Sequence, residues 1–178
     1  DNKDNIGPKS KSGKEEWRRK KKEPATINEN HARELMELHT ISPDGGYNQE
    51  DVIELAKIMT GWRPKWTKTK DNGNDVGFIS KYHEPGNKKV LGKVYKTGRK
   101  GIELAIKDLV NHPSCREFIA TKLCRYLITD NPTPEMIAPV VKAWEQSDGF
   151  LPEVHKAAIE VAFEYNDKYR KFQNPENW

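Results

Sequence analysis

The chain has no apolar run near the roughly 20 residues that a membrane-spanning helix needs. Its 178 residues are 34% hydrophobic and 33% charged, which describes a well-solvated globular surface over a modest core. Asp1-Asn2-Lys3 leads into no apolar stretch of signal-peptide type. There are two cysteines, Cys115 and Cys124, and no Cys-x-x-Cys pair, which argues against a thiolate zinc site. The two lie nine residues apart on what reads as one helix. That is about 13.5 Å of rise, too far for a bridge between them. A Gly-rich phosphate loop, a His-Glu-x-x-His pair and a nucleophile elbow are all missing, and with them the most familiar enzyme classes. No internal repeat is visible.

Charge of one sign is also scarce outside a single segment. Residues 1–22 hold nine Lys or Arg against four Asp or Glu, and the rest of the chain holds 22 against 23. The formal net charge of +4 is therefore local. Trp17 beside Arg18-Arg19-Lys20-Lys21-Lys22 has the composition of a nucleic-acid contact, but Glu15 and Glu16 interrupt it and no nucleic-acid motif follows. The expectation is a mobile basic loop or linker over residues 1–25, rich in Gly, Ser and Pro, with no nucleic-acid partner.

What the chain does have is one dense stretch, Asn28-Glu29-Asn30-His31-Ala32-Arg33-Glu34-Leu35-Met36-Glu37-Leu38-His39-Thr40. Read as a helix, it places Asn30, Arg33, Glu34 and Glu37 on one face. Ala32, Leu35, Met36 and Leu38 take the other, with His39 among them. Glu34 and Glu37, three apart, can share an ion or divide acid and base roles. The plainer reading is a solvated face on which Arg33 pairs with Glu37 at i,i+4. His31 and Glu34 have metal-pair spacing but weaker support. His39 reads either as a packed residue favouring the helix dipole or as a ligand.

Further along, Ser42-Pro43-Asp44-Gly45-Gly46 is a turn. Asn48 caps a helix whose stripe is Val52, Leu55, Ala56 and Met59, ending at Gly61. Gly77–Tyr82 and Lys89–Tyr95 read as two strands joined at Pro85-Gly86-Asn87. That hairpin presents His83, Glu84 and Lys88. Four more helices follow, carrying Ile102 to Leu109, Phe118 to Leu127, Met136 to Trp144 and Val154 to Tyr165. Pro139 should kink the third or shift its start, and His112-Pro113 reads as a helix stop. The expected fold is mainly α, with about six helices and one short β-hairpin, forming a single domain over 26–178.

Several segments together resemble a bacterial family known as domain of unknown function 1800. They are the Asn28–Thr40 stretch, Gly45-Gly46-Tyr47-x-Gln49-x-Asp51-Val52, Thr60-Gly61-Trp62, His83-Glu84-x-Gly86-x-Lys88, Leu91-Gly92 and His112-Pro113. Order and spacing hold over about residues 26–130 and continue more weakly to Pro175-Glu176. Glu84 stands where the pattern has Asp, and Ser42-Pro43 replaces a Gly-containing turn. The family's domain is longer than this chain, and Gly7-Pro8-Lys9-Ser10 resembles an internal element of it. The resemblance implies an excised middle portion of a mostly helical, often exported bacterial protein, whose partner is the remainder of its own chain. It supplies no reaction and no cofactor.

Two functions remain open. One is an enzyme of metal-assisted hydrolysis or transfer, its metal unidentified, using Arg33, Glu34, Glu37, His39 and His83. The other is a non-catalytic cell-envelope or assembly module in which these charges form a structural network. Either way Arg33, Glu34, Glu37 and His83 are expected to converge in one polar pocket. Trp66, Trp144 and Trp178 are expected to be exposed, with self-association as the symptom.

Overall fold

The structure, a computed structural model, describes residues 6–20, 27–64 and 76–168. It is mainly helical, as expected, and divides into two compact units. One draws on Asp1–His39 and Gly46–Asp108, the other on Thr40–Gly45 and Leu109–Trp178.

The first unit is built on α3, Gln49–Met59. Asn48 accepts from the Asp51 amide and Asp51 accepts from the Asn48 amide, each at 3.0 Å, a reciprocal capping box. Val52, Leu55, Ala56 and Ile58 are buried along α3. Against it pack α2, Asn30–Glu34, through Ala32, and the short strand β3, Lys88–Val90.

Three local expectations for this unit change. The helix opening at Asn30 does not run on as an α-helix, because Leu35–His39 is a π-helical turn. The wider turn re-aims every side chain after Glu34 while keeping Met36 buried. The strand pairing also differs. Leu91 and Gly92, at φ +50° and +78°, make a two-residue turn with both residues left-handed, so β3 pairs with β4, Lys93–Tyr95. Val76–Phe78, β2, pairs instead with β1, Trp62–Pro64. The chain from Ser80 to Tyr82 is a 3₁₀ turn. Finally, Lys11–Lys20 forms a helix, α1, where a loop was expected. Its start is fixed locally: the Ser10 hydroxyl accepts from the Gly13 amide at 3.1 Å and Ser10 is itself buried. α4, Arg99–Val110, crosses the boundary between the units.

The second unit is three packed helices, α5 (Pro113–Leu127), α6 (Pro134–Gln146) and α7 (Leu151–Tyr165). Each carries Pro within its first two residues, where no intrahelical donor is lost. α4 ends at Val110, just before His112-Pro113 as expected, and His112 is also the N-cap of α5, its ring accepting from the Ser114 amide at 3.3 Å. Pro139 sits exposed inside α6, which continues through it. Cys115, Ala120, Cys124, Met136, Val140, Trp144, Val154, Ala158 and Val161 are the core. Both cysteines are free, in keeping with their spacing. Trp144 is buried, contrary to expectation, because it continues the inner stripe of Met136 and Val140. Trp66 and Trp178 lie outside the described residues.

Candidate functional site

The sequence-marked polar residues fall into two groups that share no member. The first is open. Arg33 donates to Glu29 at 2.9 Å and to Gln49 at 2.5 Å, and Gln49 donates to the other Glu29 oxygen at 2.6 Å. The pairing thus runs back to Glu29 rather than forward to Glu37. Hydrogen bonds from Gln49 and Arg33 hold the Glu29 carboxyl below its usual range. Glu34 and His39 are exposed and Glu37 is half-buried. His31, too, is exposed.

The second group is closed, and lies where the end of α3, the 3₁₀ turn and the start of β3 meet. His83, Glu84, Lys88 and Thr60 are all buried, at 7%, 4%, 2% and 1% exposure. The His83 Nδ1 lies 2.9 Å from the Thr60 carbonyl, which requires that nitrogen to carry the proton. Nε2 is then an acceptor. It receives the Gly98 amide at 3.0 Å and the Lys88 ammonium at 3.2 Å. Lys88 also donates to the Glu84 carbonyl and, at 3.5 Å, to the Thr97 hydroxyl, so its three protons have three acceptors. The Thr60 hydroxyl donates to the Lys57 carbonyl at 2.7 Å and accepts from the Glu84 amide at 2.8 Å. The ring edge of Phe78 closes over His83 at 5.2 Å between centroids.

Burial sets the electrostatics. It lowers the His83 pKa below 6.5, and the Lys88 charge lowers it further against the opposing Thr60 bond. Burial likewise lowers Lys88 below 10.5, partly offset by the Glu84 and Glu54 carboxylates. A neutral imidazole facing an ammonium is the consistent state of this pair.

The chain before α1 completes the closure. Glu84 accepts from the Lys9 amide at 2.8 Å, and the Tyr82 carbonyl accepts from the Gly7 amide at the same distance. A Cβ at Gly7 would come within 2.6 Å of the Glu84 backbone, so only glycine fits there. On the other side, Glu54 accepts from the Lys89 amide at 3.2 Å and Asp51 from the Leu91 amide at 2.7 Å. These carboxylates tie the hairpin to α3.

The sequence pointed to His83, Glu84 and Lys88 but gave no role to Thr60, Thr97, Gly98, Gly7 or Lys9. Thr60-Gly61-Trp62 and Gly7-Pro8-Lys9-Ser10 were visible as segments of the resemblance, which was the available signal. Among the described residues, no three His, Cys, Asp or Glu side chains stand together as metal ligands would. Chemically, the closed group can hold chain segments together, since its donors and acceptors already face one another.

No match was found among the curated proteins or the solved structures. The model of one family, described as protein of unknown function (DUF1800), matches residues 1–178, and the chain, with its buried His83-Glu84 and Lys88 and its capped α3, belongs to that family.

Proposed function

We propose that the domain is a non-catalytic module of a bacterial cell-envelope or assembly protein, and that its buried His83–Lys88 cluster is a structural tie. One observation carries this reading: both ring nitrogens of His83 are occupied by the protein itself, through Thr60, Gly98 and Lys88. A general-base histidine must reach the proton it removes, and the His83 nitrogens instead meet a backbone carbonyl, a backbone amide and an ammonium inside a buried cluster. Export of the parent protein is part of the same reading and rests on the family resemblance.

The test is the sign of a stability change. His83→Ala strands the Thr60 carbonyl and the Gly98 amide and leaves the buried Lys88 with one acceptor fewer. Unfolding free energy should fall by roughly 3–5 kcal/mol. Removing a residue kept for catalysis characteristically leaves stability unchanged or raises it. That result would reject the structural reading.

The enzymatic reading keeps one supporting observation, the π-helical turn at Leu35–His39 beside the open face of Arg33, Glu34 and Glu37. Elemental analysis of purified protein decides for it if a stoichiometric metal is found and lost on Glu34→Gln or Glu37→Gln.

A further inference from the structure

One part of the first unit is held to the rest of it as a bound peptide would be. The Gly7 amide donates to the Tyr82 carbonyl and the Lys9 amide to the Glu84 carboxylate, each at 2.8 Å. A Cβ at Gly7 would meet the Glu84 backbone, and Gly7, Ser10 and Glu84 are all buried. α1, which follows, packs against the 3₁₀ turn Ser80–Tyr82. Residues 80–84 thus recognise two amides two positions apart, a residue without a side chain and a small polar residue that can be buried. The cap between Ser10 and Gly13 is internal to the bound part and travels with it. Residues 21–29 join α1 to α2, and a stretch of nine residues can reach up to about 30 Å.

We propose that residues 80–84 are an interaction surface whose partner is a second copy of this chain. Residues 6–20 of one copy seat on residues 80–84 of the other, and the exchange is reciprocal. The proposal rests on the assembly-module reading and names its partner. The match itself selects a second copy: the surface accepts Gly-Pro-Lys-Ser, and every copy carries that sequence at residues 7–10. Exchange keeps each bond of the seated part, so the docked contact contains no charge pairing that a single chain does not already make. A partner with a side chain in place of Gly7 is excluded by the Glu84 backbone. A short link holds the seated part at an effective concentration on the order of 1 mM. A dilute chain therefore keeps its own residues 6–20, and a concentrated one shares them.

Two full-length variants test this by complementation. Gly7→Ala unseats residues 6–20 and leaves the receiving surface intact. Glu84→Ala removes the acceptor of the Lys9 amide and leaves residues 6–20 intact. Each alone should sediment as a monomer well below the order of 1 mM. Their equimolar mixture should contain a one-to-one complex, in which residues 6–20 of the Glu84→Ala chain fill the vacated surface of the other. Adding Gly7→Ala to the Glu84→Ala chain should abolish the complex. A mixture that stays monomeric while circular dichroism shows both variants folded overturns the proposal, and so does a complex that survives the added Gly7→Ala. The wild type supplies a test that needs no substitution. Lys9, Lys11, Lys14 and Lys81 are exposed, and α1 packs beside Lys81. Heavy- and light-isotope chains incubated together near about 1 mM and treated with an amine cross-linker should give heavy–light pairs joining Lys9, Lys11 or Lys14 to Lys81. Same-isotope pairs alone overturn the proposal, whether or not the variants fold. None of these outcomes alters the stability change on His83→Ala, measured on dilute chain, which tests the structural tie separately.

Discussion

Acidification should loosen the first unit through one side chain, His83. In the folded chain its ring must be neutral, since Nε2 receives both the Gly98 amide and the Lys88 ammonium. Its folded pKa lies below the 6.5 expected of the unfolded chain. The unfolded state therefore binds the proton first as pH falls, and stability declines from about pH 6.5 downward toward the folded value. For a single proton the slope cannot exceed about 1.4 kcal/mol per pH unit. Between about pH 7.5 and 5.5 the loss should approach, and not pass, about 1.4 kcal/mol. The assay is hydrogen exchange at the Glu84 and Gly98 amides, both bonded within the cluster, corrected for the intrinsic pH dependence of exchange. His83→Gln is the control. Its amide can donate to Thr60 and accept from Gly98 but cannot titrate. The wild type should lose protection across this window and the variant should not. Equal losses in both proteins would show that other groups govern acid sensitivity, and an absence of loss in the wild type would show that His83 does not hold the cluster in the way its bonds indicate.

Thr60→Val conserves shape but strands the buried Glu84 amide, and chemical denaturation should report a loss of about 1–3 kcal/mol. Gly7→Ala cannot be accommodated beside the Glu84 backbone; exchange at the Gly7-bonded side of Tyr82–Glu84 should accelerate, and unchanged protection would refute the close approach. Arg33→Ala removes a partly exposed pair with Glu29, so its cost should stay below about 1 kcal/mol. A cost of several kcal/mol would mean that the open group is more deeply integrated than its exposure indicates.

The sequence made the helices of the second unit legible because each carries an apolar stripe at helical spacing and a proline near its start. Asn48 and Asp51 gave the start of α3 for the same reason: capping is local chemistry. The strands were harder. Pro85-Gly86-Asn87 is the stronger turn signal by composition, yet the chain reverses at Leu91-Gly92, where a leucine occupies a left-handed conformation that few would assign to it. A long-range bond from Leu91 to Asp51 supports that choice, and no short window of sequence contains both residues. The helix α1 was hidden by its charge, although its cap is local, and the residues just before it, Gly7 and Lys9, are tied to Tyr82 and Glu84 from far along the chain. Of the candidate site, His83 stood out through its neighbours Glu84 and Lys88, while Gly98 contributes a backbone amide and Thr60 a carbonyl together with a hydroxyl whose donor, the Glu84 amide, lies 24 residues away.

Asp51 has a consequence for the order of events in folding. One carboxylate oxygen closes the first turn of α3, a contact three residues long, and the other receives the Leu91 amide from 40 residues away. The helix start needs nothing distant, so it can form early and hold its second oxygen ready. The hairpin turn is costly by itself, because a non-glycine residue in the left-handed region costs roughly 1 kcal/mol or more. It is therefore expected to close late, onto a helix already present. Refolding kinetics should show Leu91→Gly, which removes that cost, acting mainly by slowing unfolding; an accelerated folding rate would mean that the turn belongs to the nucleus instead. A single aspartate in this way makes a local structure the template for a remote one.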